Sequence, residues 1–433
     1  MIMMHKIFLS FFIAMTCLCS SLHAYKIEKF DDGLTLITDK NLYSNVVVVD
    51  FWVKTGALYE TLENSGASHF MEHMFFQGTK KRPGKSADYI KKMGASFNGA
   101  TSYDYVHYYI EAPKNKLEES IDILNDMLSN ADINEKKFEE ERGVILAELA
   151  SRLSNPMQYI NDTFGGVIFD QNYPYGKLLG GKYEIIEKMS ISDLQYFYNT
   201  FYTKDRIAIV VTGNFDEENL KRIIKEKTVS LKRSISPVNV QFEDPHKITQ
   251  KIVKTENRFS GSNSYGKIGW IGAEAGSPDF IPMLLLGYIL SGGISSRLDQ
   301  KIVTSGLASA ISLNFSPTYM QSDFSFTFIA LPGNAETVKK VIINEIKDIK
   351  KGNISNEELQ RMKNLYNSRF EMGNERPLNV AANLGYYWVV TDLGLYNNMV
   401  DKINKITKDD VVKVANKYLH DNNYAYLLII PAG

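Results

Sequence analysis

Cysteine is almost missing from this 433-residue chain: there are two, Cys17 and Cys19, and both fall within the first 24 residues. If that stretch is removed, no thiol remains, which rules out disulfides and cysteine nucleophiles together. Charge of one sign is also scarce. The 49 Lys and Arg face 50 Asp and Glu, a formal net charge of -1, so nothing draws the chain electrostatically to nucleic acid. Beyond residue 24 no segment offers the roughly twenty uninterrupted apolar residues that a membrane-spanning helix needs. Histidine is sparse as well, since only five of the seven follow residue 24. What remains is the makeup of a globular protein, 44% hydrophobic and 23% charged, long enough for two or three domains.

The start of the chain is of a different kind. Residues Met1 to Ala24 carry Lys6, an apolar stretch from Ile7 to Leu18 and a small-residue end at Ser20-Ser21-Leu22-His23-Ala24, the pattern of a secretory signal peptide. Its apolar part is too short for a comfortable membrane span. The expectation is an exported protein, periplasmic before lipid-anchored or secreted, because the residues preceding Cys17 and Cys19 fit a lipid-attachment site poorly.

Two of the five remaining histidines stand in His69-Phe70-Met71-Glu72-His73. At 3.6 residues per turn a helix stacks His69 and His73 on one face, with Glu72 flanking it. Catalytic zinc takes three protein ligands and leaves a fourth position for water, which Glu72 would deprotonate. The order His-x-x-Glu-His is the inverted form of the commoner zinc-protease motif. Chance occurrence is the bland alternative, and a partner segment speaks against it. Phe138 to Leu149 reads as a helix with Glu141 and Glu148 on one face. Glu148, flanked by Val144, Ile145, Leu146 and Leu149, is the choice for an anionic third ligand; the alternative is a solvated helix face. Glu141 is assigned to orienting a ligand or the water.

The chain is built as a duplication. Lys188-Met189-Ser190-Ile191-Ser192-Asp193-Leu194, a helix and the strand Ile207 to Val211 recur at a constant offset as Lys405-Ile406-Thr407-Lys408-Asp409-Asp410-Val411, a helix and Tyr424 to Leu428. Two domains of about two hundred residues follow, 25–231 and 251–433, joined by a linker at 232–250 that carries Pro237 and Pro245. Alternating runs such as Val106 to Glu111 and Asp323 to Ile329 suit antiparallel sheets faced by helices, hence an α+β class. In the second half Leu286 to Leu298 has neither histidine nor acid at the place of the motif, so one domain is expected to be catalytic and the other to close over it.

Together, His69 to Thr79, then Asn98, Thr101, Ser102, Asp104 and Tyr108, then Glu141 and Glu148 make the chain resemble the pitrilysin, insulinase and mitochondrial processing peptidase family. The likeness runs over nearly the whole chain after the leader, closest to the short branch with one two-domain chain per subunit. It implies one zinc held by His69, His73 and Glu148, with Glu72 as general base, and two homologous domains closing as a clamshell around unfolded peptide. The strand Phe97-Asn98-Gly99-Ala100 would bind substrate by main-chain pairing. Gly99 stands where alanine is common, which should loosen the strand and let a substrate backbone approach; the alternative is a turn glycine. Self-sufficient members carry an arginine and a tyrosine seven residues apart in the second domain. Here Ile302 or Val303 and Ser309 stand at those positions, and Arg297 is expected to brace its helix. The resemblance therefore implies the zinc-bearing subunit of a heterodimer, with a homodimeric peptidase or a non-enzymatic core subunit as alternatives.

Overall fold

A computed structural model describes residues 25–170, 172–234, 238 and 252–432. The leader, and the linker apart from 232–234 and 238, lie outside the described residues. The first domain contains β1 (Lys26–Lys29), β2 (Thr35–Lys40), β3 (Val46–Val53), α1 (Ala67–Phe76), β4 (Ser96–Thr101) and β5 (Val106–Pro113). It continues through the long helices α2 (Leu117–Asn130), α3 (Glu135–Ser154), α4 (Pro156–Ile168) and α5 (Ile191–Phe201) to β6 (Ile207–Gly213) and α6 (Glu217–Lys227). The second contains β7 (Ile252–Asn257), β8 (Ser264–Ile271), α7 (Phe280–Ser291), β9 (Ala310–Asn314) and β10 (Asp323–Ala330). Helices α8 (Ala335–Lys350), α9 (Asn356–Gly373), α10 (Pro377–Val390) and α11 (Lys408–Tyr418) precede its last strand, β11 (Ala425–Ile430).

The sheets have the same order, β1-β2-β6-β3-β5-β4 and β7-β11-β8-β10-β9, apart from the extra β1. The α+β class holds, with one refinement. Each sheet is antiparallel except where its first long strand meets its last, β2 with β6 and β7 with β11, which run parallel. The bulk of each domain lies between those two strands in sequence, and a parallel pair needs such a long crossover.

The strand Val46–Val53 reads as a nearly continuous apolar run because both of its faces are covered. Val47, Val49, Phe51 and Val53 pack among the domain's own helices, while Val48 and Trp52 belong to the core shared with the second domain. Helix α10 of the second domain lies across that face, so close that a Cβ on Gly385 would stand 2.2 Å from the Trp52 ring. The first domain reciprocates. Its α4 lies on β8 and β11, with Asn161 accepting from Lys267 Nζ at 3.2 Å and Phe164 against Gly269. Each domain thus lends one helix to the other's sheet. Between them lies a polar cavity of about 590 Å³ lined by Ser102, Asp104, Asn161, Asp162, Lys267 and Asn314, among others.

At the far end of the first sheet β4 pairs with β5, Asn98 opposite Tyr109, and among the described residues no strand covers its other edge. Gly99 is therefore a strand residue and not a turn residue. The room left by its missing side chain is taken by Phe76 and Tyr108, each 3.1 Å from where a Cβ would stand, so the protein's own aromatics fill it in place of a substrate backbone.

Candidate metal centre

Helix α1 starts at Gly66, whose φ of 97° and whose closeness to Gly180 leave no room for a side chain: a Cβ would meet the Gly180 carbonyl at 2.5 Å. Gly66 offers no capping oxygen. Buried Glu60 replaces it, accepting from Gly66 N at 2.8 Å and Ser68 N at 2.9 Å, so two of the orphan amides of the first turn are satisfied by a carboxylate on the favourable side of the helix dipole. Phe70, Met71, Met74 and Phe75 bury the inner face. His69, Glu72 and His73 remain on the side turned to α3 and β4.

Helix α3 begins at Asn134, whose side chain accepts from Lys137 N, and buries Phe138, Glu141, Ile145 and Leu149. Glu148 lies beside that stripe. Its Oε2 is 3.7 Å from His69 Nε2 and 3.5 Å from His73 Nε2, and the three donor atoms all lie within 4.8 Å of one another. A tetrahedral zinc with bonds near 2.0 Å sets its ligand atoms about 3.3 Å apart. The two carboxylate–imidazole spacings need only a slight closing, and two imidazoles and a carboxylate suit that ion in chemistry. Among the described residues no other group of histidines, cysteines and acids converges in this way.

Neighbouring groups fix the orientation. His73 Nδ1 is 3.1 Å from Glu141 Oε2, the carboxylate–imidazole contact that aims the opposite nitrogen. His69 Nδ1 is buried and makes no hydrogen bond with the described residues; it stands beside Gly180. Glu72 Oε2 accepts from Thr101 Oγ1 at 2.5 Å, which ties the carboxylate to the end of β4.

The electrostatics follow from these contacts. Burial pushes the His69 imidazole down to about 4, so it is neutral and has a lone pair to offer. Burial also opposes charge on His73, but its contacts to Glu148 and Glu141 outweigh that and raise it. Burial raises the Glu72 carboxyl, while the hydrogen bond to His73 holds Glu148 below the usual carboxylate range.

The structure brings together His69, Glu72, His73, Glu141 and Glu148, and sets Phe97, Asn98, Gly99 and Ala100 on the open-edged strand ending at Thr101. The apolar flank that singled out Glu148 is less enclosing than its residues suggest. Val144 is 50% exposed, and Glu141 is the buried acid, its side chain 11% exposed against 38% for Glu148. Thr101 and Arg152 have roles that the spacing of the zinc motif does not show. Arg152 Nη1 is 3.8 Å from Glu148 Oε1, and an acid followed by arginine at i+4 was the available sign of it. In the second domain Ile302 is fully buried, and the Ser309 hydroxyl donates to the Ile329 carbonyl at 3.2 Å. Arg297 is held by Glu358 and Asp348, a bracing role.

Comparison with known proteins agrees with this geometry. Residues 35–166 match the model described as Insulinase (Peptidase family M16), and residues 188–366 match that of the Peptidase M16 inactive domain. The chain is 25% identical to the mitochondrial-processing peptidase subunit beta of Lentinula edodes, over 92% of this chain and 88% of that one. It is 26% identical to a zinc protease of Rickettsia bellii, over 91% and 94%. A crystal structure of a protease from Helicobacter pylori superposes with a TM-score of 0.88 at 23% identity, covering 95% of this chain and 100% of that one, a likeness of fold.

Proposed function

From the premise that the chain belongs to the insulinase (M16) peptidase family, a metallopeptidase family, we propose that it is a zinc-dependent endopeptidase of peptides and unfolded polypeptides. It works in the periplasm, after loss of its leader, as the zinc-bearing subunit of a heterodimer that encloses its substrate. The observation that carries this reading is the convergence of His69, His73 and Glu148 within 4.8 Å, beside a carboxylate held at the end of an open-edged strand.

His69 Nε2, His73 Nε2 and Glu148 Oε2 would hold one zinc, with Glu141 fixing the His73 ring. Bound there, zinc supplies Lewis acidity toward the scissile carbonyl and makes water a better acid. Substrate binding and proton transfer are done by the chain. An extended peptide adds to the free edge of β4 through main-chain hydrogen bonds, which are tolerant of sequence. Glu72 takes a proton from the attacking water and returns it to the leaving nitrogen, and Thr101 keeps the carboxylate turned to that task. The buried Ile302 and the tied Ser309 offer no arginine or tyrosine to the substrate carbonyl, which supports a second, homologous chain as their source. The relative named as a subunit beta is consistent with that arrangement.

Replacing Glu72 with Gln tests the mechanism. The variant should keep its zinc and its fold while hydrolysis of an unfolded polypeptide falls by about 10²–10⁴. A rate near that of the parent would remove Glu72 from the reaction.

A further inference from the structure

We propose that Arg152 is a positioning residue of the metal site: anchored by Asp162, its guanidinium holds one oxygen of Glu148 so that the other alone faces His69 and His73. The inference rests on the reading of Glu148 as the third ligand. Its ground is the way the two carboxylate oxygens are divided. Oε2 is the oxygen nearer the imidazoles, at 3.7 and 3.5 Å, and Oε1 is the oxygen nearer the guanidinium, in an ion pair 3.8 Å from Arg152 Nη1.

An acid and an arginine four residues apart on a helix are common, and an exposed pair orients nothing. Two features set this pair apart. Arg152 is not free to follow Glu148, because its Nε and Nη2 donate in parallel to Asp162 at 3.0 and 2.9 Å, the two-pronged geometry that fixes a guanidinium plane. Asp162 is fixed in turn. It lies on α4, where the adjacent Asn161 accepts from Lys267 and Thr327 of the other domain, both at 3.2 Å. The chain Asp162–Arg152–Glu148 thus ties one ligand to the helix that crosses between the domains. A carboxylate that binds through one oxygen leaves a four-coordinate site with an open position for the reaction, whereas binding through both fills it.

A competing account gives Arg152 a purely electrostatic effect, and the two differ in sign. A cation beside the site repels zinc, so removing it would tighten binding if charge were all that mattered. Asp162 already neutralises that charge, so positioning should win and removal should loosen binding.

The test compares zinc affinity, by competition with a chromogenic chelator, and the visible spectrum of the cobalt-substituted protein. The full chain is used as parent, Arg152→Gln, Arg152→Lys, Asp162→Asn and Glu148→Gln. Arg152→Gln should bind zinc about 10–100-fold more weakly, with a weaker cobalt band as the freed carboxylate closes on the metal through both oxygens. Arg152→Lys should recover part of the affinity, and Asp162→Asn should lose it with the arginine still present. Zinc held by Arg152→Gln as tightly as by the parent or more tightly, with an unchanged cobalt spectrum, overturns the proposal. Should that variant not fold, Arg152→Lys decides, and a parental value there overturns it equally. Loss of zinc in Glu148→Gln separates this failure from failure of the ligand assignment, since a parental affinity in that variant would overturn both.

Discussion

Counted from their N-caps, Asn134 and Ser355, the long helices α3 and α9 present Glu148 and Arg369 at the same place, and Glu141 and Met362 seven residues earlier. Counted back from Gly78 and Gly292, the glycines that follow α1 and α7, His69, Glu72 and His73 correspond to Met283, Leu286 and Gly287. The backbone is repeated and the chemistry is not. Met283 and Leu286 are fully buried, a Cβ on Gly287 would collide with Leu313 at 2.4 Å, and the Arg369 guanidinium lies over Tyr288. Helix α7 is apolar on every side and packs as a core helix does. Helix α1 keeps one side partly open, with His69 and His73 side chains 12% and 19% exposed. The difference shows what a metal site demands of this fold: enough burial to keep an imidazole neutral, and an opening that a closely packed helix cannot provide.

Turning α1 toward its counterpart should have the largest effect. His73→Ala puts a small apolar residue where α7 has Gly287, and zinc should fall from about one per chain to almost none, because two ligands no longer close the site. Elemental analysis after dialysis measures it. Stoichiometric zinc in the variant would show that these donors do not hold the ion.

Next in size is the effect of the absent arginine and tyrosine. Donors to a developing oxyanion are worth about 10²–10³ in rate, so the chain purified free of homologues should hydrolyse peptides slower by about that factor than when mixed with a homologue that carries the pair. Ile302 sits fully buried, so an arginine there would break the core, whereas Val303, the other position, is partly exposed. Full activity in the isolated chain would eliminate the two-chain reading and favour a homodimer.

The comparison also shows what a sequence exposes to reading. His69, Glu72 and His73 were legible because helical spacing alone stacks them, and the repeat of Lys188 to Leu194 as Lys405 to Val411 was legible because capping boxes at Ser190 and Thr407 leave the same local pattern. The environment of α3 was not. Its acid at 141 and its acid at 148 look alike in sequence, and only the neighbours decide that the stripe through Phe138, Glu141, Ile145 and Leu149 turns inward. Nor could periodicity show that α4 and α10 change places between the domains. A helix pattern gives a face without naming the sheet that covers it. The Asp162–Arg152 pair, formed between two helices, was hidden for the same reason.

Those exchanged helices supply the next prediction, of intermediate size. Gly385→Ala gains about 1 kcal/mol of helix propensity but drives a methyl to 2.2 Å from the buried Trp52 ring. Overpacking of this kind costs about 1–3 kcal/mol and occasionally more, so the clash should win and the urea midpoint should fall. Gly269 on β8 is the matching test for the other crossing, since its Cβ would stand 3.0 Å from the Phe164 ring of α4 and 2.6 Å from Ser325 Cβ. Similar losses would establish the two crossings as equivalent supports. A loss at one alone would mean that the chain depends on a single crossing.

The smallest effect is expected at Gly143, between Glu141 and Glu148 on α3. It is exposed, and an added Cβ would find nothing within 4 Å. Glycine inside a helix costs about 0.5–1 kcal/mol relative to alanine, so Gly143→Ala should raise the unfolding free energy by about that much and leave zinc affinity alone. The matching position on α9 is Asn364, whose side chain accepts from Gln360 Nε2 at 2.9 Å, so Asn364→Ala should gain less. The informative result would be a split at Gly143, a more stable protein that binds zinc more weakly. A glycine between a residue that orients His73 and a residue that closes the site could let α3 bend as the ligands draw in from 3.5 and 3.7 Å, and stiffening it would then oppose closure. Unchanged affinity would mean instead that α3 is as rigid as α9, and that the two domains differ in the side chains they present and not in how their helices move.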